Sequence, residues 1–260
     1  MTLDDLVDHL DHPDMPYDPE RDIARMAPDL TIDDAYRLQF ALMRRRAERG
    51  DRVVGYQASL TSAGAARAFP QYPSPYLGCL LRSNIKLDDE PMTFEFEEYL
   101  VETEIGVIFK HDLAGADLMP ADVVNALQGY IGALEMAPLR PGTREGRWSA
   151  QQLVATHNTG SRIILGSKIV PPHVDMRTEA AVVTTNGVVR ASAAGVETLG
   201  GPIRTIIAMA GILHSYGLGF RAGQVVITGS LPPPQPVRRE DATAAVDFTR
   251  LGSIAVRFRQ

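Results

Sequence analysis

Short β-rich runs dominate the chain after Gly50, and glycine and proline residues separate them. Runs of β-branched and apolar residues bounded in this way are typical of strands. They do not alternate regularly with helices, as a doubly wound parallel sheet requires. The sequence therefore predicts an α+β fold with a mixed, mostly antiparallel β core. The runs are Val53–Tyr56, Gly78–Leu81, Glu102–Phe109, Ile163–Leu165, Ala180–Thr184, Val188–Ala191, Gln224–Thr228 and Ser253–Phe258.

The first 50 residues are predicted to form a helical region that precedes the β-rich part. Thr31 and Asp34 have the spacing of a capping box at a helix start. Gly50 stands where a helix commonly ends in a left-handed residue. We therefore divide the chain into a helical N-terminal region, residues 1–50, and a β-rich domain with the candidate catalytic residues, residues 51–260.

Three further helices and a hairpin are predicted within the β-rich part. Ser149 and Gln152 have the spacing of another capping box. Asn186-Gly187 predicts a two-residue hairpin turn, because both residues tolerate the positive φ angles of a type I′ turn. The first helix is predicted to begin at Pro120 and to end near Gln128, and the second to begin at Ser149. The third is predicted to begin at Pro202, and Gly217 follows its end.

Three glutamates stand in apolar, strand-like segments. Glu102 and Glu104 lie two residues apart, so the alternation of a strand directs both side chains to the same face. Glu135 lies in a second apolar run, Tyr130–Met136. Glutamates are rarely buried without a partner. Three of them, with no Cys or His at ligand spacing, indicate a hard divalent cation such as Mg²⁺ or Mn²⁺.

Two simpler interpretations of these glutamates remain open from spacing alone. A Glu-x-Glu pair on a strand is commonly part of a solvated face. Glu135 is also able to form a salt bridge with one of several arginines.

The charge and hydropathy of the chain limit which cellular locations and which classes of partner are expected. The net charge of −6 gives no general attraction to nucleic acid or to an anionic membrane. The longest apolar run, Thr205–Leu213, is too short to span a bilayer. The acidic start, Met1–Asp5, lacks the pattern of a signal peptide. We expect a cytoplasmic protein that binds neither nucleic acid nor a membrane.

Common nucleotide-binding and hydrolase motifs are absent from the sequence or misplaced in it. Gly217-x-Gly219-x-x-Ala222 has the dinucleotide-binding pattern, but it follows a predicted helix and precedes a strand, the reverse of the required order. No P-loop and no G-x-S-x-G elbow occur.

His157 lies in a polar loop of small residues between a helix and a strand. Such loops often carry function, and a structural turn is the alternative.

Segments along almost the whole chain together match the sequence pattern of a known protein family. Beside Glu102-x-Glu104 and Ala133-Leu134-Glu135, they are Leu30–Gln39, Arg52–Tyr56, Leu60–Ser62, Val154–Gly166, Gly200–Pro202, Leu218–Leu231, Asp247–Phe248 and Leu251–Phe258. Together they resemble the 2-oxopent-4-enoate (2-hydroxypentadienoate) hydratase and 4-oxalocrotonate decarboxylase family, part of the fumarylacetoacetate hydrolase superfamily.

The resemblance implies a fumarylacetoacetate-hydrolase-like fold and a metal-dependent enzyme. It implies Mg²⁺ or Mn²⁺ on Glu102, Glu104 and Glu135. The substrate class would be an unsaturated 2-oxo acid, chelated through its carboxylate and keto oxygens. It also implies a homo-oligomer or a complex with a partner enzyme of the same pathway.

The chain departs from the family pattern at proton-handling positions. Gln57 stands where the family usually has a lysine, and glutamine does not titrate. Arg82 stands where an aspartate is usual, and it reverses the charge. The third acidic segment usually continues as E-x-x-D-S, whereas Pro138-Leu139 occupy the last two positions here. These changes favour decarboxylation, tautomerisation or another C–C cleavage over hydration, because hydration needs a proton at carbon and an activated water.

We assign candidate roles on this basis. Gln57 and Ser59 are expected to orient substrate oxygens, and Arg82 to hold a distal anionic group. His157 is the candidate proton carrier, because an imidazole titrates near neutral pH. Thr228, Gly229 and Ser230 are expected to contact substrate at a strand end, with an ordinary turn as the alternative for the last two.

Three functional interpretations follow from these assignments. The first is a Mg²⁺-dependent lyase, a hydratase or a decarboxylase. The alternatives are a non-catalytic family member that serves as an assembly subunit and an acylpyruvate-type C–C hydrolase.

Overall fold

The computed structural model describes residues 1–11, 22–88, 90–139, 148–157 and 161–259. Its helices, numbered in chain order, are α1 Leu3–Leu10, α2 Ile23–Met26, α3 Ile32–Glu48, α4 Ala63–Ala68, α5 Pro120–Ala126, α6 Ala150–Ala155 and α7 Pro202–His214. Its strands are β1 Val53–Ser59, β2 Tyr76–Leu81, β3 Ile85–Leu87, β4 Met92–Thr93, β5 Glu98–Phe109, β6 Leu127–Pro138, β7 Arg162–Val170, β8 Ala180–Thr185, β9 Val188–Ala194, β10 Val225–Ser230, β11 Gln235–Arg238, β12 Thr243–Phe248 and β13 Gly252–Arg259.

The strands form two sheets. The larger has the order β2-β1-β10-β5-β6-β7-β3, with β11 beside β5, and the smaller has the order β4-β13-β12-β8-β9. β1 with β10, β3 with β7 and β4 with β13 are parallel pairs. The other pairs within the described ranges are antiparallel. The mixed, mostly antiparallel core predicted from the sequence is confirmed.

Local sequence signals fix several element ends. The Thr31 hydroxyl accepts a hydrogen bond from the Asp34 N–H, and the Asp34 carboxylate accepts one from the Thr31 N–H, so the predicted capping box begins α3. Gly50, just after that helix, has a φ of 96°. Asn186 and Gly187 have φ angles of 52° and 74° and join β8 to β9 as the expected tight turn.

The helix predicted from Pro120 to about Gln128 is shorter than expected. It ends at Ala126, and Leu127 already begins β6, where it is paired with Phe109 of β5. The ladder of the long β5–β6 pair extends through these residues. Pairing with a neighbouring strand has therefore overridden the local helical pattern, and the helix ends two residues earlier than the sequence indicated.

Only half of the second predicted capping box forms. The Ser149 hydroxyl caps α6 by accepting from the Gln152 N–H, as expected. The Gln152 side chain does not return to Ser149; its Oε1 accepts from the Ile23 N–H at 3.0 Å. The carboxylate of Asp22 takes its place, accepting from the Ser149 N–H at 2.9 Å and from the Ser149 hydroxyl at 2.6 Å. The start of α6 is thereby tied to α2 in the N-terminal region.

The helical N-terminal region and the sheets share one apolar core. Leu38 and Leu42 of α3 are fully buried in the same cluster as Leu77 of β2 and Val226 of β10. The division at residue 50 stays a prediction.

The one described segment with the length and hydropathy of a membrane span lies in this core. Residues Gly195–His214 have the length and the mean hydropathy, 1.3, of a membrane span. Only Pro202–His214 form an α-helix, whose 13 residues reach about 20 Å, short of the ~30 Å of a bilayer's hydrocarbon core. Its residues Ile206, Met209 and Leu213 are buried against the protein. The composition of this segment is that of a core helix and is weak evidence for a membrane.

Candidate metal centre and substrate cavity

The three glutamates meet because β5 and β6 are neighbouring antiparallel strands. Glu102 of β5 is paired directly with Glu135 of β6, and Glu104 follows two residues along β5 on the same face. One carboxylate oxygen from each residue lies within 4.8 Å of the other two. The same-face prediction for Glu102 and Glu104 is confirmed, and the register of the strand pair adds Glu135.

Neutral hydrogen-bond donors hold the buried carboxylates in place. Glu104 is 0% exposed and Glu135 is 2% exposed, whereas Glu102 is half-buried. The Gln57 amide N–H donates to Glu104 Oε1 at 3.3 Å and also to Glu135 Oε2. The Gly229 N–H donates to Glu104 Oε2 at 2.6 Å, and the Ser161 hydroxyl donates to Glu135.

Among the described residues, the cluster has no cationic side chain to balance it. Within the described parts of the chain, no Lys or Arg forms an ion pair with any of the three glutamates. Burial raises the pKa of Glu102 to about 8 and that of Glu135 to about 7, and it raises the pKa of Glu104 well above its usual range. Repulsion from Glu135 adds to the effect on Glu102 and Glu104.

This donor set fits a hard divalent cation. Three convergent carboxylates supply oxygen ligands and a charge that a dication neutralises. Gln57 is 1% exposed and its Oε1 has no hydrogen-bond partner among the residues that the structure describes, so this part of the site contains an unused buried acceptor. Glu104 and Glu135 are too deeply buried to belong to a solvated face.

A second polar group lies beside the glutamates. Ser59 is two residues from Gln57 on β1, and its hydroxyl is 3.1 Å from Nε2 of His157. The Tyr76 ring packs edge-on against the His157 imidazole, with centroids 4.9 Å apart, and the Tyr76 hydroxyl hydrogen-bonds to Ser59. The structure therefore brings His157 and Ser59 together. The next three residues of the polar loop, Asn158–Gly160, lie outside the described residues.

The glutamate cluster opens into a cavity of about 650 Å³ through Glu102. Ser59, Tyr76 and Ser230 also line this cavity. A volume of this order is typical of pockets for small organic ligands. A small molecule in the cavity can therefore reach Glu102 of the cluster and Ser59, the hydrogen-bond partner of His157, at once.

The residues predicted at the end of β10 have different surroundings. The Thr228 hydroxyl is buried and donates to the Ile105 carbonyl at 2.8 Å, so it holds β10 to β5 and does not reach the cavity. Gly229 acts through its N–H on Glu104, and its φ is 96°. Ser230 lines the cavity and donates its hydroxyl hydrogen to the Pro232 carbonyl.

Arg82 is not part of this site. β2 pairs Gly78 with Gln57, and Arg82 follows four residues later, about 13 Å along the strand direction. Its side chain is exposed, and Nη1 donates to the Ile85 carbonyl at 3.1 Å. The expected clamp on a distal anionic group is therefore not formed by Arg82, because the strand carries the residue away from the glutamates.

Two residues of the site were not singled out from the sequence. Ser161 lies at the end of the polar loop that contains His157, and that loop was the available signal. Tyr76 begins an apolar strand, and nothing in its local sequence distinguishes it from a core aromatic residue.

Comparisons with known proteins agree with this geometry. Residues 54–259 match the family model described as the C-terminal part of fumarylacetoacetate (FAA) hydrolase. The 2-oxo-hept-4-ene-1,7-dioate hydratase of Escherichia coli is 29% identical over 97% of this chain and 96% of the relative. The 4-oxalocrotonate decarboxylase of Pseudomonas putida is 27% identical over 97% of this chain and 95% of the relative.

A solved structure shares the whole fold. The 4-oxalocrotonate decarboxylase from Pseudomonas putida G7, complexed with magnesium and adipate, superposes with a TM-score of 0.88 at 25% identity. The match covers 100% of this chain and 99% of that one. The family model alone spans most of the chain, including all three glutamates, so this protein belongs to the fumarylacetoacetate hydrolase family.

Proposed function

We propose that this protein is a Mg²⁺- or Mn²⁺-dependent lyase that acts on an unsaturated 2-oxo acid. The observation that carries the proposal is the convergence of Glu102, Glu104 and Glu135 beside a cavity of small-molecule size. The similar proteins named as a hydratase and a decarboxylase, and the related structure with magnesium, support it. A non-catalytic subunit has no need to keep three carboxylates buried together at the cost of their desolvation.

The glutamates would hold the cation, and the other residues would position substrate around it. A bound Mg²⁺ or Mn²⁺ supplies electrophilic stabilisation for the charge that develops on the keto oxygen of a chelated 2-oxo acid. Gln57 fixes the orientation of Glu104 and Glu135 through its N–H group. Its unpartnered Oε1 is an acceptor for a substrate hydroxyl or a water.

His157 would carry the proton. Its Nε2 is hydrogen-bonded to the Ser59 hydroxyl at the cavity wall, so a proton can pass between the imidazole and the substrate through Ser59. Ser230 and the Gly229 N–H would keep the strand end at the site in its observed conformation.

The residues favour decarboxylation over hydration. Loss of CO₂ requires an electrophilic sink for the electron pair that is left behind, and one proton delivered to the resulting enolate at oxygen or carbon. Hydration also requires a group that activates water, and Gln57 is unable to titrate for that purpose. C–C hydrolysis, which also needs an activated water, is disfavoured on the same ground.

Calorimetric titration with Mg²⁺, alone and with oxalate or pyruvate, tests the metal site. We expect Mg²⁺ binding that oxalate strengthens, and a loss of at least tenfold in Mg²⁺ affinity in Glu135→Gln, because one anionic ligand is removed. Glu240→Gln, the same change at an exposed glutamate, is the matched control and keeps the wild-type affinity. Absence of Mg²⁺ binding in the wild-type protein would rule out the proposed enzyme.

Product analysis then separates the reactions. With 4-oxalocrotonate and 2-hydroxypentadienoate as trial substrates, CO₂ release identifies a decarboxylase and a hydroxylated product identifies a hydratase. Binding of metal and oxalate without any turnover would favour the non-catalytic alternative.

The cytoplasmic location and a homo-oligomer, or a complex with a partner enzyme of the same pathway, are further parts of the proposal. Val188 and Val189 on the edge strand β9 are 54% and 63% exposed, which supports self-association of this surface.

A further inference from the structure

We propose that the cavity beside Glu102 selects a 2-oxo acid whose far end is an uncharged apolar chain, alkyl or aryl, and not a second carboxylate. This inference rests on the proposed function, because the glutamate cluster anchors the 2-oxo acid end. It concerns the opposite end of the substrate, for which Arg82 was the candidate from sequence.

Apolar side chains make up most of the cavity lining. Leu100 of β5 lies two residues before Glu102, and Leu153 comes from α6. Phe69 follows α4 and stacks on Tyr72 with ring centroids 6.0 Å apart. The remaining apolar side chains of the lining are Leu60, Ala65, Ala68, Leu139, Pro232, Pro233 and Pro234.

Most polar side chains of the lining are already engaged within the protein. The Tyr72 hydroxyl donates to the Trp148 carbonyl at 3.0 Å. The Ser62 hydroxyl accepts from the Ala65 N–H and caps α4. Ser59, Glu102 and Ser230 belong to the strands that carry the glutamate site or its neighbours. Polar recognition is therefore concentrated at the end of the cavity where the 2-oxo acid would bind.

The described part of the lining, which reaches Leu139 just after β6 and resumes beyond residue 147, offers no cation to a distal anion. None of the cavity-lining residues that the structure describes is Lys, Arg or His. A second carboxylate on the substrate would be placed near Glu102 and against leucine, phenylalanine and proline side chains without a partner, which is costly. An alkyl or aryl chain would instead gain binding from the apolar area that it buries.

The test is a binding series on the wild-type protein with saturating Mg²⁺. Pyruvate, 2-oxobutanoate, 2-oxopentanoate and 2-oxohexanoate are titrated calorimetrically, together with 2-oxohexanedioate, which has the same carbon count as 2-oxohexanoate and a carboxylate in place of its terminal methyl group. We expect the affinity to rise up to about fourfold per methylene. We expect 2-oxohexanedioate to bind at least tenfold more weakly than 2-oxohexanoate.

The possible failures are distinguishable. Mg²⁺-dependent binding of pyruvate with no gain along the series, or with a preference for 2-oxohexanedioate, would overturn the apolar subsite and leave the proposed function intact. No Mg²⁺-dependent binding of pyruvate would overturn both.

A pair of arginine variants locates the subsite. Phe69 is 36% exposed, so Phe69→Arg brings a cation to the cavity wall without opening the core. We expect the affinity ratio of 2-oxohexanedioate to 2-oxohexanoate to rise at least fivefold. Met119→Arg adds the same charge at a residue that is 65% exposed and does not line the cavity, and it should leave the ratio at its wild-type value. An equal ratio in both variants would contradict the placement of the substrate's far end beside Phe69.

Discussion

At the scale of single residues, the site is governed by three carboxylates that are buried together. Among the described residues, their partners outside the cluster are neutral donors, Gln57, Ser161 and the Gly229 N–H, which orient oxygens but do not cancel charge. Desolvation and mutual repulsion therefore favour the protonated forms until a cation binds. The same feature that makes the site fit a dication makes the metal-free protein sensitive to pH.

The free energy of unfolding of the metal-free protein is predicted to fall as the pH rises from about 5 to 8. The ordinary pKa of a glutamate carboxyl is 4.5, and folding raises the pKa values of Glu102 and Glu135 to about 8 and 7. Between the ordinary and the raised pKa values the folded state binds more protons than the unfolded state. For each proton that the folded state binds in excess, the free energy of unfolding falls by about 1.4 kcal/mol for every unit that the pH rises.

Thermal unfolding in EDTA at a series of pH values checks this slope. Glu135→Gln, which removes one titrating carboxyl and its charge, should flatten the slope, and Glu240→Gln should not. Saturating Mg²⁺ should stabilise the wild-type protein more at pH 8 than at pH 5. A slope that is the same in Glu135→Gln and in the wild-type protein would contradict this account.

At the scale of elements, the site depends on strand register and on one turn. The β5–β6 pair sets Glu102 opposite Glu135, and the end of β10 directs the Gly229 N–H at Glu104. Gly229 has a φ of 96°, and a Cβ on it would lie 2.0 Å from Thr61 Oγ1. Both the backbone conformation and the close approach of Thr61 therefore require glycine.

Gly229→Ala is predicted to lower the free energy of unfolding by about 3 kcal/mol, from positive-φ strain of about 1 kcal/mol and the clash with Thr61. Gly223→Ala isolates the strain, because Gly223 has a φ of 84° and a Cβ added to it would have nothing within 4 Å. Urea denaturation of the two variants gives the difference between their free energies of unfolding, which measures the cost of the contact with Thr61. Equal losses would mean that the contact with Thr61 costs nothing.

At the scale of the whole molecule, buried amides join the N-terminal helices to the sheet. Gln39 of α3 is fully buried; its amide N–H group donates to the carbonyls of Leu77 and Val154, and its Oε1 accepts from the Cys79 N–H at 3.0 Å. It thus links α3 to β2 and α6. With the bonds from Asp22 to Ser149, it ties residues before Gly50 to the domain that holds the glutamates.

Gln39→Leu is predicted to lower the free energy of unfolding by about 3 kcal/mol, because three buried backbone groups lose their partner. Trp148 is the single tryptophan and is buried next to Ser149, so its fluorescence reports on α6 while far-UV circular dichroism reports on the whole chain. We expect the two urea transitions to coincide in both the wild-type protein and the variant. Separate transitions would show that the helical region unfolds independently.

The parts of this structure that depend on near neighbours in the chain were predictable from the sequence. Alternation along a strand is local, so it places Glu102 and Glu104 on one face. The α3 capping box and the Asn186-Gly187 turn are local for the same reason. The position of Arg82 was not predictable, because it depends on the register of β2 against β1, which pairs Gly78 with Gln57. Nor was that of the Gln152 side chain, which bonds to Ile23 rather than to Ser149.

The amino-acid sequence by itself determined the β-rich composition of the core, the ends of several helices and hairpins, and the identity of the three acidic residues, because each of these follows from chemistry within a few residues. Only the tertiary structure decided that Glu135 faces Glu102, that Gln57 bonds to both Glu104 and Glu135, and that apolar side chains from separate segments of the chain enclose the cavity. Strand order and register bring distant segments together, and no local pattern specifies them.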